Sequence, residues 1–340
     1  MHVMVTGGAG YIGCQLVPAL IKAGHRVTVV DKLVFGAEGL EGCAEDVTLH
    51  AIDIRDVAES NLQGVDAVVH LAALSNDPTA EYRPAANRSI NLEATLRLAQ
   101  LAKTARVSRF VFASSCSVYY TEGVDDAPRD EACELQPKAP YSWSKFEAER
   151  GLLKLGDAEF IPVILRKGTV FCSSARMRYD LVVNTFTCDA YAKGCLRVHA
   201  GGRMWRPLLH IDDAVEAYLR VLEADGSIVN GKVYNVANGN YRVIDIAHDV
   251  RRAIRKLTGT NVKIDTQPVG VSRSYRVTFD RIGEDLDFRL SKTIASAVDS
   301  MWPELENGID PTDARYYNIR WIELLVEMES RLAAMGGKVL

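Results

Sequence analysis

The segment Tyr141-Ser142-Trp143-Ser144-Lys145 sets a phenol and an amine four residues apart where a helix begins. That spacing puts both on one helix face. A phenol with a pKa of about 10 is a poor base at neutral pH, and an ammonium beside it favours the ionised form. Such a pair suits removal of a proton from an alcohol whose carbon loses hydride. Exposed Tyr–Lys pairs also arise by chance, so the assignment takes its weight from context. The apolar run Phe110–Ala113 ends in Ser114-Ser115-Cys116-Ser117-Val118-Tyr119, a hydroxyl-rich segment just ahead of the pair. Cys116 within it reads as a small core residue, not a nucleophile.

Hydride chemistry needs an acceptor, and the N-terminal segment offers a place for one. Val3-Met4-Val5-Thr6 runs into Gly7-Gly8-Ala9-Gly10-Tyr11-Ile12-Gly13, after which apolar residues recur at helical spacing (Ile12, Leu16, Leu20). This reads as strand, tight turn and helix, with glycines where the backbone must turn, admit a phosphate and pack closely. The N–H groups and positive dipole end of such a helix bind a pyrophosphate without a basic side chain. A second strand, Arg26–Val30, ends on Asp31, about 20 residues past the glycines. A carboxylate there accepts from both ribose hydroxyls and repels an added 2′-phosphate. The expected cofactor is therefore NAD, with NADP disfavoured.

Further strands are expected at Val47–Ile52, Ala67–Ala73, Phe110–Ala113 and Ile161–Arg166, with helices over about 87–105 and Tyr141–Leu155. Near-continuous apolar strands alternating with helices predict an α/β fold, a doubly wound parallel sheet covered on both faces. Ligands of such sheets sit at the carboxyl ends of the strands, where Asp31, Asp53, Ala72, Ser115 and Arg166 all fall. Past residue 168 the rhythm loosens. Helices are expected around Asp180–Lys193, Asp212–Ala224 and Val243–Leu257. Short strands follow at Leu196–His199, Lys232–Val236, Val262–Ile264 and Val277–Phe279, then more helix to Ala334. This gives a dinucleotide-binding domain over 1–168 and a smaller α/β substrate lobe over 169–340, some segments crossing back to the sheet. The cleft between them is the expected site.

Bulk composition fits that picture. The chain has 340 residues, 48% hydrophobic and 25% charged, with a net charge of −4. Nothing in this balance favours nucleic acid or an anionic membrane as partner, and no apolar stretch is long enough to span a bilayer. Seven scattered cysteines without a Cys-x-x-Cys pair read as reduced thiols, and neither they nor the seven histidines show metal-ligand spacing. A first strand starting right after Met1 leaves no room for a signal peptide, so a cytoplasmic location is expected.

Thr6-Gly7-Gly8-Ala9-Gly10-Tyr11-Ile12-Gly13, His70-Leu71-Ala72-Ala73, Ser114-Ser115-x-x-Val118-Tyr119 and Tyr141-x-x-x-Lys145, in that order, resemble the extended short-chain dehydrogenases/reductases. The likeness covers most of the chain and is greatest to their nucleotide-sugar epimerase/dehydratase branch. It implies a Rossmann-type sheet and a catalytic set of Tyr141 as acid/base, Lys145 as its electrostatic partner on the nicotinamide ribose, and Ser115 bonded to the reacting oxygen. The implied cofactor residues are Gly7, Gly10, Tyr11, Ile12, Gly13, Asp31, Lys32, Asp53, Ile54, Leu71, Ala72, Ala73 and Asn91, with Tyr141 and Lys145. Asp53 and Ile54 would flank the adenine, and Asn91 would support the backbone. Ser75, Ser117, Thr169, Arg206, Arg273 and Arg276 are the implied substrate contacts, the arginines as grips on a diphosphate. His210, in His210-Ile211-Asp212-Asp213, caps or packs. The implied partner is a nucleotide-diphosphate sugar, with no metal. The implied assembly is a homodimer, through a patch of Ala94, Leu98, Ala102, Phe146 and Ala148.

Departures from the resembled pattern bear on the reaction. Family dehydratases carry glutamate two residues after the catalytic serine, and 3,5-epimerases a cysteine; here that residue is Ser117. A serine lacking its own activator is no strong base, so chemistry confined to C4 is expected: a 4-epimerase working by transient oxidation and hydride return. The alternatives are a 4-ketoreductase, a non-nucleotide alcohol substrate, and a non-catalytic dinucleotide sensor. Tyr120, Thr169 and Phe171-Cys172 replace the usual Gly, Asn and Tyr-Gly.

Overall fold

The computed structural model describes residues 1–120, 127–268 and 273–335; residues 121–126, within the expected polar loop ahead of Pro140, and 336–340, at the end of the expected lobe, lie outside them. The β-branched runs of the first half form β1 (His2–Thr6), β2 (Arg26–Val30), β3 (Val47–His50), β4 (Ala67–His70), β5 (Arg109–Ser115) and β6 (Ile161–Lys167). The remaining strands are β7 (Thr169–Phe171), β8 (Cys195–Val198), β9 (Trp205–His210), β10 (Val233–Val236), β11 (Gly239–Arg242) and β12 (Lys263–Thr266). The main sheet runs β3-β2-β1-β4-β5-β6-β10, parallel throughout. Its order reverses between β1 and β4, and a crevice opens at such a switch point.

Alternation along the strands builds two apolar layers. Val5, Val111 and Ala113 share one cluster with Leu16, Val17 and Tyr218, while Met4, Phe110 and Phe112 share the other with Leu98, Ala102 and Leu152. Helices therefore cover both faces, as the near-continuous apolar strands require. The same packing corrects the expected dimer patch. Ala94, Leu98, Ala102 and Ala148 are buried within the monomer, because they form the stripe that each helix turns toward the sheet.

The helix expected over about 87–105 is interrupted. Helical turns at Pro84–Asn87 and Ala94–Thr104 flank a π-helical turn, Arg88–Glu93. Such turns recur at functional sites, and here the turn carries Asn91 inward. The Asn91 side chain accepts from the Leu74 N–H at 2.8 Å and donates to the Leu74 carbonyl at 2.9 Å, fixing the loop after β4.

In the second half β11 pairs antiparallel and β7 parallel to β9, while β8 and β12 form a parallel pair. Pro207 hides β9 in the sequence, since proline cannot donate to a central ladder. The structure tolerates it because β7 begins opposite Leu208, so Pro207 has only Asn240 as a strand neighbour. The strand expected at Val277–Phe279 is reduced to a single bridge between Arg129 and Val277. All seven cysteines are free thiols. Among the described residues no group of side chains could hold a metal ion, and no helix is long and apolar enough to cross a membrane.

Candidate active site

Gly7 opens the turn after β1 with φ +72°, and a Cβ there would stand 2.7 Å from the backbone nitrogen of Ala72. A side chain at Gly13 would collide with the carbonyl oxygens of Gly7 and Gly8. Both positions demand glycine on steric grounds. The helix Gly13–Lys22 has no side-chain cap; the N–H groups of Cys14, Gln15 and Leu16 are taken by the Gly10 and Ile12 carbonyls, and the positive dipole end faces a ligand in the crevice. At the end of β2 the Asp31 carboxylate accepts from the Ala9 N–H at 3.0 Å and the Leu33 N–H at 2.8 Å. Burial pushes this carboxyl up, against those two bonds and the Arg176 guanidinium. Asp53 goes the other way. A bidentate bond from Arg55, helped by Lys32 at 3.1 Å, holds it far below the usual carboxylate range. An uncapped helix end beside glycines that a Cβ would block, with a fixed carboxylate at the ribose position, fits a dinucleotide.

Ser115, Tyr141 and Lys145 meet in the same cavity, about 370 Å³ in volume. Ser115 ends β5, and its hydroxyl accepts from the Ser117 N–H at 3.1 Å, capping the tight turn Cys116–Tyr119. Tyr141 follows Pro140 at the start of the helix Pro140–Leu155, a place where the missing proline N–H costs nothing. Burial pushes the Tyr141 phenol well above its ordinary value; Asp77 and Tyr275 add to the rise, while Arg178 and a hydrogen bond with Ser115 oppose it. The Lys145 ammonium lies 5.9 Å from the Tyr141 ring centre and 4.7 Å over Phe112. Burial lowers it to about 7, against the pull of Glu149. Arg178 is thus a second cation that favours the ionised phenol, beside the amine one turn on, which burial brings toward neutrality.

A buried ion-pair network holds this helix in place. Glu149, one turn beyond Lys145, receives the Arg166 guanidinium at 2.7 and 3.1 Å and the Ser114 hydroxyl. Arg166 also donates to the Tyr119 hydroxyl at 2.7 Å, and that hydroxyl donates to Asn235 Oδ1 at 2.8 Å. Helix, β5, β6 and β10 are thereby joined directly beneath the reactive groups. Cys116 lies against the same network with its thiol on the Arg166 carbonyl at 3.1 Å, and burial pushes it far up. It is not a nucleophile. His70 is likewise internal, bonded to the Thr6 and Thr95 hydroxyls at 2.6 and 2.8 Å, and burial lowers it to about 3.

All residues expected at the cofactor line this cavity except Asn91, which acts one step back through Leu74. Of those expected at the substrate, Ser75, Ser117 and Thr169 line it; Arg206, Arg273 and Arg276 do not. Arg273 forms ion pairs with Asp77 and with Glu81, the latter at 2.8 Å. Arg206 donates to the Arg273 carbonyl and lies 5.6 Å over the Tyr275 ring. Arg276 stacks 4.5 Å over Trp205. His210 caps the helix Ile211–Glu223 by accepting from the Asp212 N–H at 3.2 Å.

Sequence reasoning missed Phe35, Lys167, Tyr275, Asn318 and Ile322, all of which line the cavity, as does Arg176. Arg176 stacks 3.6 Å over Phe35 and donates to Asn318 at 2.6 Å; Asn318 in turn donates to the Ser75 hydroxyl at 2.9 Å. The Trp321 indole reaches back to the Val34 carbonyl at 2.6 Å. The helix Asn318–Ala334 thus closes the loop after β2 over the crevice, a contact with no local signature. Lys167 did have a signal, since it ends a predicted strand on the ligand-binding edge of the sheet.

A dinucleotide crevice that ends on a Ser–Tyr–Lys proton-handling set defines a dehydrogenase-type enzyme. The chain belongs to the NAD dependent epimerase/dehydratase family, whose model matches residues 3–237, within the extended short-chain dehydrogenases/reductases; its cofactor is NAD. A putative UDP-glucose 4-epimerase of Methanocaldococcus jannaschii is 29% identical over 234 residues, 67% of this chain and 75% of its own length. The dTDP-D-glucose 4,6-dehydratase of Homo sapiens is 26% identical over 267 residues, 75% and 74% of the two chains. Among solved structures, MoeE5 in complex with UDP-glucose and NAD superposes with a TM-score of 0.74 at 26% identity, covering 91% of this chain and 100% of that one.

Proposed function

We propose that this protein is a nucleotide-sugar 4-epimerase, oxidising its sugar at C4 and returning the hydrogen to the opposite face. The relatives include epimerases, dehydratases and decarboxylases, and the observation that supports the epimerase reading here is Ser117. It is buried, and its hydroxyl accepts from the Ser142 hydroxyl at 3.2 Å. Among the described residues no carboxylate or imidazole is bonded to it. A serine without an activator cannot strip a proton from carbon beside a ketone, so Ser117 gives the site no carbon base, which favours proton traffic at the C4 oxygen.

Bound NAD supplies the hydride acceptor and donor. Ser115 and Tyr141 hold the C4 oxygen, and Tyr141 takes its proton on oxidation and returns it on reduction. Lys145, near neutrality, is placed to share that proton. The uncapped Gly13–Lys22 turn and Asp31 hold the dinucleotide in register with these groups. The 4-keto sugar must then present its other face, which a site gripping one face tightly would prevent.

The test uses purified protein without added cofactor. Interconversion of a UDP- or dTDP-hexose pair differing at C4, with no solvent deuterium in the product, supports the reading. Tyr141→Phe should retain NAD and lose roughly 10²- to 10⁴-fold in rate. Net consumption of NADH would replace the reading with a 4-ketoreductase. A second reading rests on Asp77, which lines the cavity and whose carboxyl burial pushes up against the Arg273 pair. If Asp77 abstracts a proton from carbon, solvent deuterium enters the product and Asp77→Asn abolishes its entry.

A further inference from the structure

Lys167 brings a second amine to the reacting end of the cavity, and among the described residues no carboxylate is paired with it. It is the last residue of β6, in register with Ser115 on β5 and Val236 on β10. Residues in register on neighbouring strands project to the same face of a sheet. Lys167 therefore stands beside the Ser115 hydroxyl, and both line the cavity with Tyr141 and Lys145. Among the described residues its ammonium makes no hydrogen bond or ion pair; the ring of Tyr218 lies 5.7 Å from it. Burial brings it down to about 7, and its charged neighbours Lys145 and Arg178, both cations, push the same way. Two of the three buried guanidinium groups are treated differently, while Arg176 has, among the described residues, only the Asn318 amide and the Phe35 ring. Arg166 holds Glu149 at 2.7 Å, and Arg178 holds Asp180 at 2.9 Å.

A charge left unpaired in a cleft is costly unless the ligand brings its counter-ion. The diphosphate of a nucleotide sugar cannot be that ion if the C4 oxygen meets Ser115 and Tyr141. It hangs from C1, across the pyranose ring from C4. The substituents that flank C4 are those on C3 and C5. We propose that Lys167 is a specificity residue that pairs with a carboxylate beside the reacting carbon, the C6 carboxylate of a nucleotide-linked uronic acid. The inference rests on the nucleotide-sugar reading above and narrows it to acidic sugars.

The experiment titrates the NAD-bound protein calorimetrically with matched pairs, UDP-glucose with UDP-glucuronic acid and the two dTDP counterparts. The readout is the ratio of the two affinities within each pair. A charge-assisted hydrogen bond predicts that the uronate binds roughly tenfold to a hundredfold more tightly. Lys167→Met should bring the ratio to about one, and Lys167→Arg should keep most of it. A ratio near one in the unmodified protein overturns the proposal, as does a ratio that survives Lys167→Met. Lys167→Gln is read in the same way should the methionine variant not fold. C4 interconversion of a neutral hexose alongside a ratio near one removes the acidic preference and leaves the epimerase reading standing. Failure of all four ligands to bind protein that still holds NAD overturns both.

Discussion

Replacing Lys145 with methionine should stabilise the fold while it abolishes turnover. The ammonium is 2% exposed and is brought from 10.5 in the unfolded chain to about 7 in the fold, burial being the largest cause. Taken at face value this costs roughly 5 kcal/mol at neutral pH, an upper limit. One loss offsets the gain on substitution, the attraction to Glu149 being already contained in the lowered value. The ammonium sits 4.7 Å over Phe112, a contact worth about 1 kcal/mol. Glu149 is not orphaned by the change, because Arg166 and Ser114 remain bonded to it. A net gain of at most about 4 kcal/mol remains, which for a chain of this length raises Tm by no more than roughly 6 °C. The sign in pH follows from the lowered value. The cost is fully present below pH 7, shrinks as pH rises from 7 toward 10.5, and vanishes above. Urea unfolding of both proteins, stripped of NAD, at pH 6.5, 8 and 9.5 should therefore show the variant ahead at pH 6.5 with the gap closing stepwise. A variant less stable at pH 6.5, or a gap independent of pH, would refute the claim that desolvation governs this amine.

Two other substitutions probe the frame around the site. Glu149→Gln removes one partner of a buried pair and leaves Arg166 without its counter-ion, so it should destabilise by about 3–5 kcal/mol in chemical denaturation. Cys172 stands where the resembled family has glycine, and its φ is +109°. Cys172→Gly and Cys172→Ala both delete the thiol, so their difference isolates the backbone. Glycine should be the more stable by about 1–2 kcal/mol in thermal unfolding, the reverse of its ordinary ranking.

The readable parts of this protein were those set by local chain geometry. The glycine turn, Asp31 and the Tyr141–Lys145 spacing each announce themselves within one βα unit or one helical turn, and the structure assembles all of them around one cavity. Strands β1, β2, β4, β5 and β6 were legible because burial on both faces leaves mostly apolar residues to choose from, whereas the edge strand β3 is half exposed. What stayed hidden depends on partners far away in sequence. Pro207 masked β9, whose pairing became possible only because β7 is short. The π-helical turn at Arg88–Glu93 cannot be told from regular helix by apolar periodicity, yet it is what swings Asn91 onto Leu74. Arg273 reads as a free grip on phosphate until Asp77 and Glu81, nearly two hundred residues earlier, are seen to hold it. The dimer patch failed for a related reason. Periodicity marks an apolar stripe but does not say whether the sheet or a second chain covers it.

The position of Tyr141 depends on the second half of the chain as much as on its own helix. Its helix is tied to β6 by Glu149 and Arg166, and Arg166 is tied through Tyr119 to Asn235 on β10. Asn235 in turn donates to the Thr278 carbonyl at 2.9 Å, and its N–H is taken by Glu131 at 2.8 Å. The proposed division at residue 168 therefore separates two stretches of sequence without separating two energetic units. The strand that completes the sheet comes from beyond it, carrying the last polar partner of a chain of buried groups, each of which would be costly if left unpaired. Ser117 and Lys167 sit directly on this frame, at the ends of the strands it locks together. A substitution at either position can change which bond of the sugar is attacked, or which sugar is held, without moving the phenol. Reaction type can diverge on such a scaffold while the hydride and proton machinery stays where it is.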